Sequence, residues 1–318
     1  MSSLRLGVPA LLALLLSACA APPSAPRAPH ESGALVFWEV ESGSRAGGRA
    51  FLLGSVHAGT PDLAFDPAIE RAFGASQSLV IEADIAASQG EDAFGFVQRL
   101  LAMATLPEGE TLDQLLPPPS WEQLGDFLRE RGQPVEPVRR FEPWLVMTMV
   151  TSYLFAEAGL PAEGGVDLRF VARAEGRMPI VALETPEFQL SLLDSLPLEV
   201  QARMLAEVLA RQGETAAYST RIFDAWRLGD LDAIEAETLA PGRGDPKLRE
   251  FHERVFLERN RTMAERIDGL LAEEKTWFVV VGAGHMVGDE GIPSLLARRG
   301  HRVARVPKTA AAPAPAPE

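Results

Sequence analysis

A short unit that occurs twice constrains the fold more than any other feature of this chain. Residues 49–57 read Arg-Ala-Phe-Leu-Leu-Gly-Ser-Val-His, and residues 277–285 read Trp-Phe-Val-Val-Val-Gly-Ala-Gly-His. Each is an apolar run of strand length closed by Gly-x-x-His. After each come a polar turn, a helix-like segment (66–73 and 289–299) and a second apolar strand (78–82 and 302–306). An apolar, β-branched run closed by Gly reads as a buried strand that ends in a tight turn. His57 and His285 therefore follow the carboxyl ends of strands, where open α/β sheets gather their ligands. A fold that joins the two units brings two imidazoles to one place.

The rest of the chain is read around that pair. Strands are predicted at 35–40, 51–54, 79–82 and 179–183, with a Gly/Ser/Arg turn at 42–48 joining the first two. Asp66 and Pro67 open a short helix over 66–73, which Gly74 is placed to stop. From 91 to 160 the pattern is helical and broken by prolines, and its most apolar part, 144–156, reads as a buried helix too short to span a membrane. Further helices are predicted at 165–174 and 187–234, then one long helix over 248–271 after a Gly/Pro-rich break at 241–246. The predicted fold is one α/β domain at 34–306, a central mixed sheet with flanking helices and a large helical insertion over about 90–240.

Both ends of the chain read differently. Arg5 and the apolar stretch 8–16 form a signal-peptide pattern, closing in Leu16-Ser-Ala-Cys19. That ending resembles the bacterial lipobox, which implies a lipoprotein signal peptide over 1–19 that is cleaved before the cysteine, with lipidation of Cys19 as the new N-terminus. Ala20, rather than Asp, after the cysteine leans toward the outer membrane, facing the periplasm. Residues 20–33 read as a Pro/Ala-rich tether holding an inert His30, and 307–318 as a disordered Ala/Pro tail. Cys19 is the only cysteine, so no intramolecular disulfide supports the fold. The net charge of −14, without a Lys/Arg cluster, excludes a nucleic-acid binder. The oligomeric state leaves no mark in the sequence.

Several acids join the histidines as candidates. Glu82 and Asp84 close an apolar strand, and in extended chain residues i and i+2 point to one side. Glu82 reads as a metal ligand or general base. Asp84 is either a second such group or a solvated strand end. Asp167 is either a site residue or an ordinary first-turn helix acid. Glu184 ends another strand and is either a proton acceptor at the same rim as Glu82 or a plain strand end. Arg259, beside Asn260, makes an electrostatic contact, meets a substrate carboxylate or lies on a solvated helix face. His252 and His301 read as surface residues. The turns at Gly54 and Gly282 have the small residues that let backbone amides approach a ligand. No phosphate-loop or dinucleotide fingerprint accompanies them, which argues against nucleotide binding.

Gly54-Ser-Val-His57, Ile81-Glu82-Ala-Asp84, Gly165-Val-Asp167, Leu183-Glu184-Thr185, Arg259-Asn260 and Gly282-Ala-Gly-His285, in this order, resemble the TraB/GumN family with its Tiki-type metalloproteases. The resemblance implies an α/β fold whose active centre joins His57, Glu82 and His285. It also implies peptide cleavage with a divalent metal, manganese or cobalt, with zinc possible. From the residues themselves, two imidazoles and a carboxylate suit a hydrolytic metal site that keeps positions open for water. The leading expectation is a lipid-tethered, metal-dependent hydrolase acting on a peptide or other small substrate. The alternatives are a metal-independent, histidine-based esterase and a non-enzymatic lipoprotein that binds haem, a metal or a small ligand.

Overall fold

The computed structural model describes residues 29–44, 47–84, 93–239 and 246–309. The leader with Cys19, most of the proposed tether, the break at 241–245 and residues 310–318 lie outside them. A six-stranded sheet forms the centre: β1 (Ala34–Glu41), β2 (Arg49–Ser55), β3 (Ser78–Ala83), β4 (Ile180–Glu184), β5 (Thr276–Gly282) and β6 (Arg302–Pro307), in the order β4-β3-β5-β2-β1-β6. The predicted mixed α/β sheet is therefore present. The pairs β4–β3, β3–β5 and β5–β2 are parallel, while β1 is antiparallel to both of its neighbours. β5, covered on both faces, is buried from Trp277 onward, as its unbroken apolar run requires.

Pairing between β2 and β5 runs in unbroken register from Arg49↔Thr276 to Ser55↔Gly282. Parallel strands that end level send their following turns out at the same edge, so the two Gly-x-x-His segments emerge side by side. The copies are offset by one residue, because Gly54 faces Val281 and Gly282 faces Ser55. That offset separates the roles of the two glycines. A Cβ on Gly54 would stand 2.6 Å from Val36 Cγ1, so Gly54 serves packing against β1 and not a ligand.

The flanking helices are α1 (Pro67–Ala75), α2 (Ala93–Met103), α3 (Leu112–Leu115), α4 (Pro118–Glu130), α5 (Pro143–Glu157), α6 (Val166–Ala174), α7 (Pro186–Asp194), α8 (Leu198–Ala210), α9 (Gln212–Leu228), α10 (Leu231–Leu239), α11 (Pro246–His252), α12 (Arg259–Leu270) and α13 (Ile292–Arg298). Asp66 caps α1 by accepting from Ala68 N at 2.8 Å, as predicted. The helix nonetheless runs through Gly74, because Ser76 Oγ, donating to Ala72 O at 2.8 Å, finishes it instead. Phe73, Phe170 and Phe278 meet with ring centroids 4.8–5.2 Å apart, fixing α1 and α6 against β5 by aromatic packing. A second core, around Trp144, Phe127, Met147 and Leu205, belongs to the helical insertion. α5 is apolar all round and buried, as expected of the 144–156 stretch.

The long helix predicted over 248–271 is present as one continuous helical run, made of α11, a π-helical turn (Glu253–Glu258) and α12. A wider turn adds a residue that a reading at 3.6 residues per turn does not register. The ordered unit also reaches beyond 34–306. Lys308 N donates to Gly33 O at 3.0 Å, Thr309 N donates to Asp66 at 2.9 Å, and His30 N donates to Asp230 at 2.8 Å. His30 thus holds the acid that caps α10, rather than sitting inert in a tether. His301, expected at the surface, is nearly buried and bonds Asp268 at 2.8 Å. His252 is half-buried against the Phe256 ring.

The turn carrying His57 docks on the segment before α6 at very short range. Gly59 N donates to Pro161 O and Val166 N donates to Val56 O. A Cβ on Gly164 would fall 1.9 Å from Gly59 O, and one on Gly165 would fall 2.8 Å from His57 O. Backbone cannot yield there as a flexible side chain can. Gly164→Ala is expected to destabilise the fold by about 1–3 kcal/mol, the usual cost of overpacking, read as a lowered thermal midpoint. A substitution at exposed Gly74, where a Cβ meets nothing, serves as the neutral control.

Candidate active site

Four parallel strands deliver the site at one edge of the sheet. The turns after β2 and β5 carry His57 and His285, and the ends of β3 and β4 carry Glu82 and Glu184. Gly282 lies at their meeting point. A Cβ there would stand 3.3 Å from both Glu82 Oε2 and His57 Nε2, and 3.4 Å from His285 Cδ2. Its own N–H donates to Glu82 Oε2 at 2.9 Å. Glycine at this position keeps open the space that the three side chains share.

Each imidazole is held from behind. Asn260 Nδ2 donates to Glu290 O at 2.8 Å, which turns Asn260 Oδ1 toward His285 Nδ1 at 2.5 Å. That carbonyl accepts, so Nδ1 carries the proton and Nε2 presents a lone pair. Nε2 is buried, has no hydrogen-bond partner, and faces Glu82 Oε1 at 3.7 Å. Burial, with the Arg259 charge next in weight, pushes the His285 pKa down to about 3, so the ring stays neutral. His57 Nδ1 bonds Asp167 Oδ2 at 3.2 Å. Burial disfavours the charged ring, but the charge and hydrogen bond of Asp167 outweigh it and raise the His57 pKa. Two histidines with opposite shifts stand at one glycine.

The carboxylates are arranged around Arg259, whose side chain is 1% exposed. Its Nε donates to Glu184 Oε1 at 3.0 Å, its Nη2 to Glu184 Oε2 at 2.7 Å and also to Glu82, and its Nη1 to Val255 O at 3.0 Å. Gln189 Nε2 bridges the same pair, at 2.9 Å from Glu82 and 3.1 Å from Glu184. Burial alone would raise the Glu82 pKa, but Arg259 and both histidines hold it well below the ordinary carboxylate range. Arg259 therefore lies neither on a solvated helix face nor against a substrate carboxylate, because its charge is spent on two internal acids. Glu184, expected to accept a proton, is instead the anchor of Arg259. Gln189 was not foreseen. A neutral side chain on an apolar helix face carries no signal of its own.

Asp167 takes the site role left open for it in the sequence. Asp84 lies half-buried just past the end of β3. Beside the histidines runs a half-open cleft with a cavity volume of about 60 Å³, room for a few waters. The donor types around Gly282 suit a divalent ion: two imidazole Nε2 positions, one orphaned in the interior, and a carboxylate. Among the described residues, however, no three His, Cys, Asp or Glu side chains already stand close enough together to hold an ion. The Glu82 oxygen that faces His285 Nε2 also accepts from Arg259. An ion held by all three calls for Glu82 to yield part of that bond.

Comparison with known proteins places this geometry in context. The model of the TraB/PrgY/gumN family matches residues 36–305. An uncharacterized protein of Treponema pallidum (strain Nichols) is 23% identical over 278 residues, covering 83% of this chain and 80% of that protein. A Danio rerio protein named Metalloprotease TIKI1 is 26% identical over 249 residues, covering 64% of this chain and 50% of that protein. The match thus spans half the length of that relative. No solved structure matches.

The buried ion-pair network is open to direct measurement. Arg259→Met leaves two carboxylates facing each other without a counter-charge, and is expected to cost about 3–5 kcal/mol near neutral pH. The loss should shrink toward pH 5, where the facing pair takes up a proton. Chemical denaturation at both pH values reads this out. A cost below about 1 kcal/mol would show that the network does not carry the site.

Proposed function

We propose that this chain, which belongs to the TraB/PrgY/gumN family, is a metal-dependent hydrolase of peptides whose reaction centre is the cleft between His57 and His285. The observation that carries the reading is the buried, unpartnered Nε2 of His285, fixed as an acceptor by Asn260 and facing Glu82 across Gly282. The similarity to a protein named a metalloprotease supports the same chemistry. His57, His285 and Glu82 would hold the ion, with manganese, cobalt or zinc as candidates. A bound divalent ion supplies a water of lowered pKa and polarises the carbonyl under attack.

The remaining residues hold this set in position. Asp167 and Asn260 orient the two imidazoles from behind, the arrangement that raises ligand basicity and fixes the tautomer. Arg259 and Gln189 keep Glu82 ionised and in place. We further propose that lipidated Cys19 tethers the chain to the cell envelope, at the outer membrane facing the periplasm. Among the described residues no helix is long and apolar enough to cross a membrane.

One observation favours a second reading. The His57–Asp167 pair is already assembled, whereas the three metal donors have yet to close. On that reading His57 is a general base for an ester or amide and needs no ion. Chelation separates the two, abolishing turnover on the first reading and sparing it on the second.

The test uses the full chain in detergent, a peptide library and added manganese, with turnover followed by mass spectrometry. His57→Ala and His285→Ala are each expected to lower the rate by about 100-fold or more while circular dichroism stays native. Both readings need His57 neutral. Activity should therefore fall as pH drops through a value above the ordinary 6.5 of histidine, because the folded His57 pKa is raised. Undiminished turnover in both alanine variants would overturn the assignment. For the anchor, Cys19→Ala should abolish incorporation of labelled fatty acid, and incorporation that persists would refute it.

A further inference from the structure

The cleft beside the two histidines has two unlike sides. Its floor, at the ends of β2 and β5, is polar: Ser55 Oγ and His285 Nε2 are buried and have no hydrogen-bond partner, and His57 stands at the partly open side. The roof is built by the helical layer from the rings and side chains of Phe155, Tyr218, Ile222, Phe223, Ile234 and Phe256. Besides the Tyr218 hydroxyl, Ser219 and Thr238 reach this roof, and each of these two is spent on its own helix. Ser219 Oγ donates to Ala216 O at 2.7 Å, and Thr238 Oγ1 donates to Ile234 O at 2.7 Å. Apart from the two histidines, no ionisable acid or base with a formal charge lines the cleft among the described residues.

A polar floor with orphaned groups under an uncharged, apolar roof fits one kind of occupant. Polar atoms of a peptide group satisfy the floor, and an aliphatic side chain fills the roof. A sugar, a phosphate or an acidic side chain would lose hydration against the roof, which offers it no charged partner. The size of the recess narrows the choice. The space beneath the roof, about 60 Å³, is open on the side where His57 stands. The peptide backbone therefore lies outward, and the recess takes one side chain of about four to six heavy atoms, at roughly 10–15 Å³ for each. Leu, Ile and Met side chains fall in that range, whereas Gly and Ala leave it unfilled and Trp exceeds it.

We infer that the recess under Ile222 and Phe223 is a specificity pocket for one leucine-sized aliphatic side chain, so that the substrate is a peptide cleaved beside Leu, Ile or Met. The inference rests on the hydrolase reading above and adds the substrate class. Ile222 and Phe223 set the size of the pocket and take no part in the chemistry. Ser55 donates to or accepts from the peptide backbone of the bound segment.

The experiment has two arms, both on the full chain. In the first, cleavage sites in a peptide library are expected to favour Leu, Ile or Met on one side of the bond by about tenfold or more over Asp, Lys or Gly. Ile222→Phe narrows the recess and should move the preference toward Ala and Gly. Phe223→Ala widens it and should move the preference toward Phe and Trp, in KM more than in kcat. Cleavage that requires His57 but shows no aliphatic preference, or a preference that neither variant moves, overturns the pocket and leaves the hydrolase reading standing. The second arm needs no turnover. Ligand-observed NMR should detect binding of N-acetyl-leucinamide and not of N-acetyl-aspartamide, with the leucine signal lost in Ile222→Phe at native circular dichroism. Equal binding of the two amides, or none of either, overturns the pocket even if every cleavage assay is silent. Absence of His57-dependent cleavage together with selective leucinamide binding refutes the hydrolase reading alone.

Discussion

Everything at the functional edge depends on the in-register parallel pairing of β2 with β5. These strands come from opposite ends of the chain, yet seven consecutive pairs hold them level. A one-residue slip would reverse the faces of all side chains on one strand and carry Gly282 out of the gap between the imidazoles. The buried Val279, Val280 and Val281 against Leu52 and Leu53 fix the register hydrophobically, so the position of the chemistry follows from packing well behind it. The long sequence separation has a kinetic consequence too. Such pairing must wait for closure of a loop of more than two hundred residues between Ser55 and Thr276, which places site assembly late in folding.

Electrostatics then explain why the edge does not collapse. Two carboxylates buried at the ends of β3 and β4 would be costly alone. Arg259 resolves that conflict with a fork of donors spread over both, and Gln189 adds a neutral bridge. Burial first, and then the same guanidinium that keeps Glu82 ionised, keep His285 uncharged. Arg259 thus bears on the charge state of the acid and of one base together. The arrangement has a cost for metal binding, because the Glu82 oxygen facing His285 is shared with a cation.

This explains which parts of the site were legible in the chain. His57 and His285 were legible because strand, glycine and imidazole follow one another within a few residues, and strand ends are where ligands gather. Glu82 and Glu184 were legible for the same reason, as acids closing apolar runs. Their role was not, because it depends on Arg259, and an Arg-Asn-Arg run on a helix ordinarily lies in solvent. The π-helical turn before it leaves no trace in a periodic pattern, since it breaks the period. Gln189 had no signal, and Tyr218, Ile222 and Phe223 on α9 read as ordinary core. The six strands were recovered, with end shifts of a residue or two. The error at Gly74 arose where a side-chain cap overrode local propensity.

The helical layer, then, is more than packing. An open sheet edge with two imidazoles and a glutamate exposes them to bulk water, where ion pairs weaken and histidines titrate near their ordinary values. Covering that edge with a separately packed helical core excludes most of the water and makes the opposite shifts of His57 and His285 possible. It also confines what reaches them, because the roof offers carbon and the floor offers unpaired polar atoms. Burial that creates the electrostatics of the site is therefore the same burial that selects its occupant. Neither property can be altered at the roof without some effect on the other.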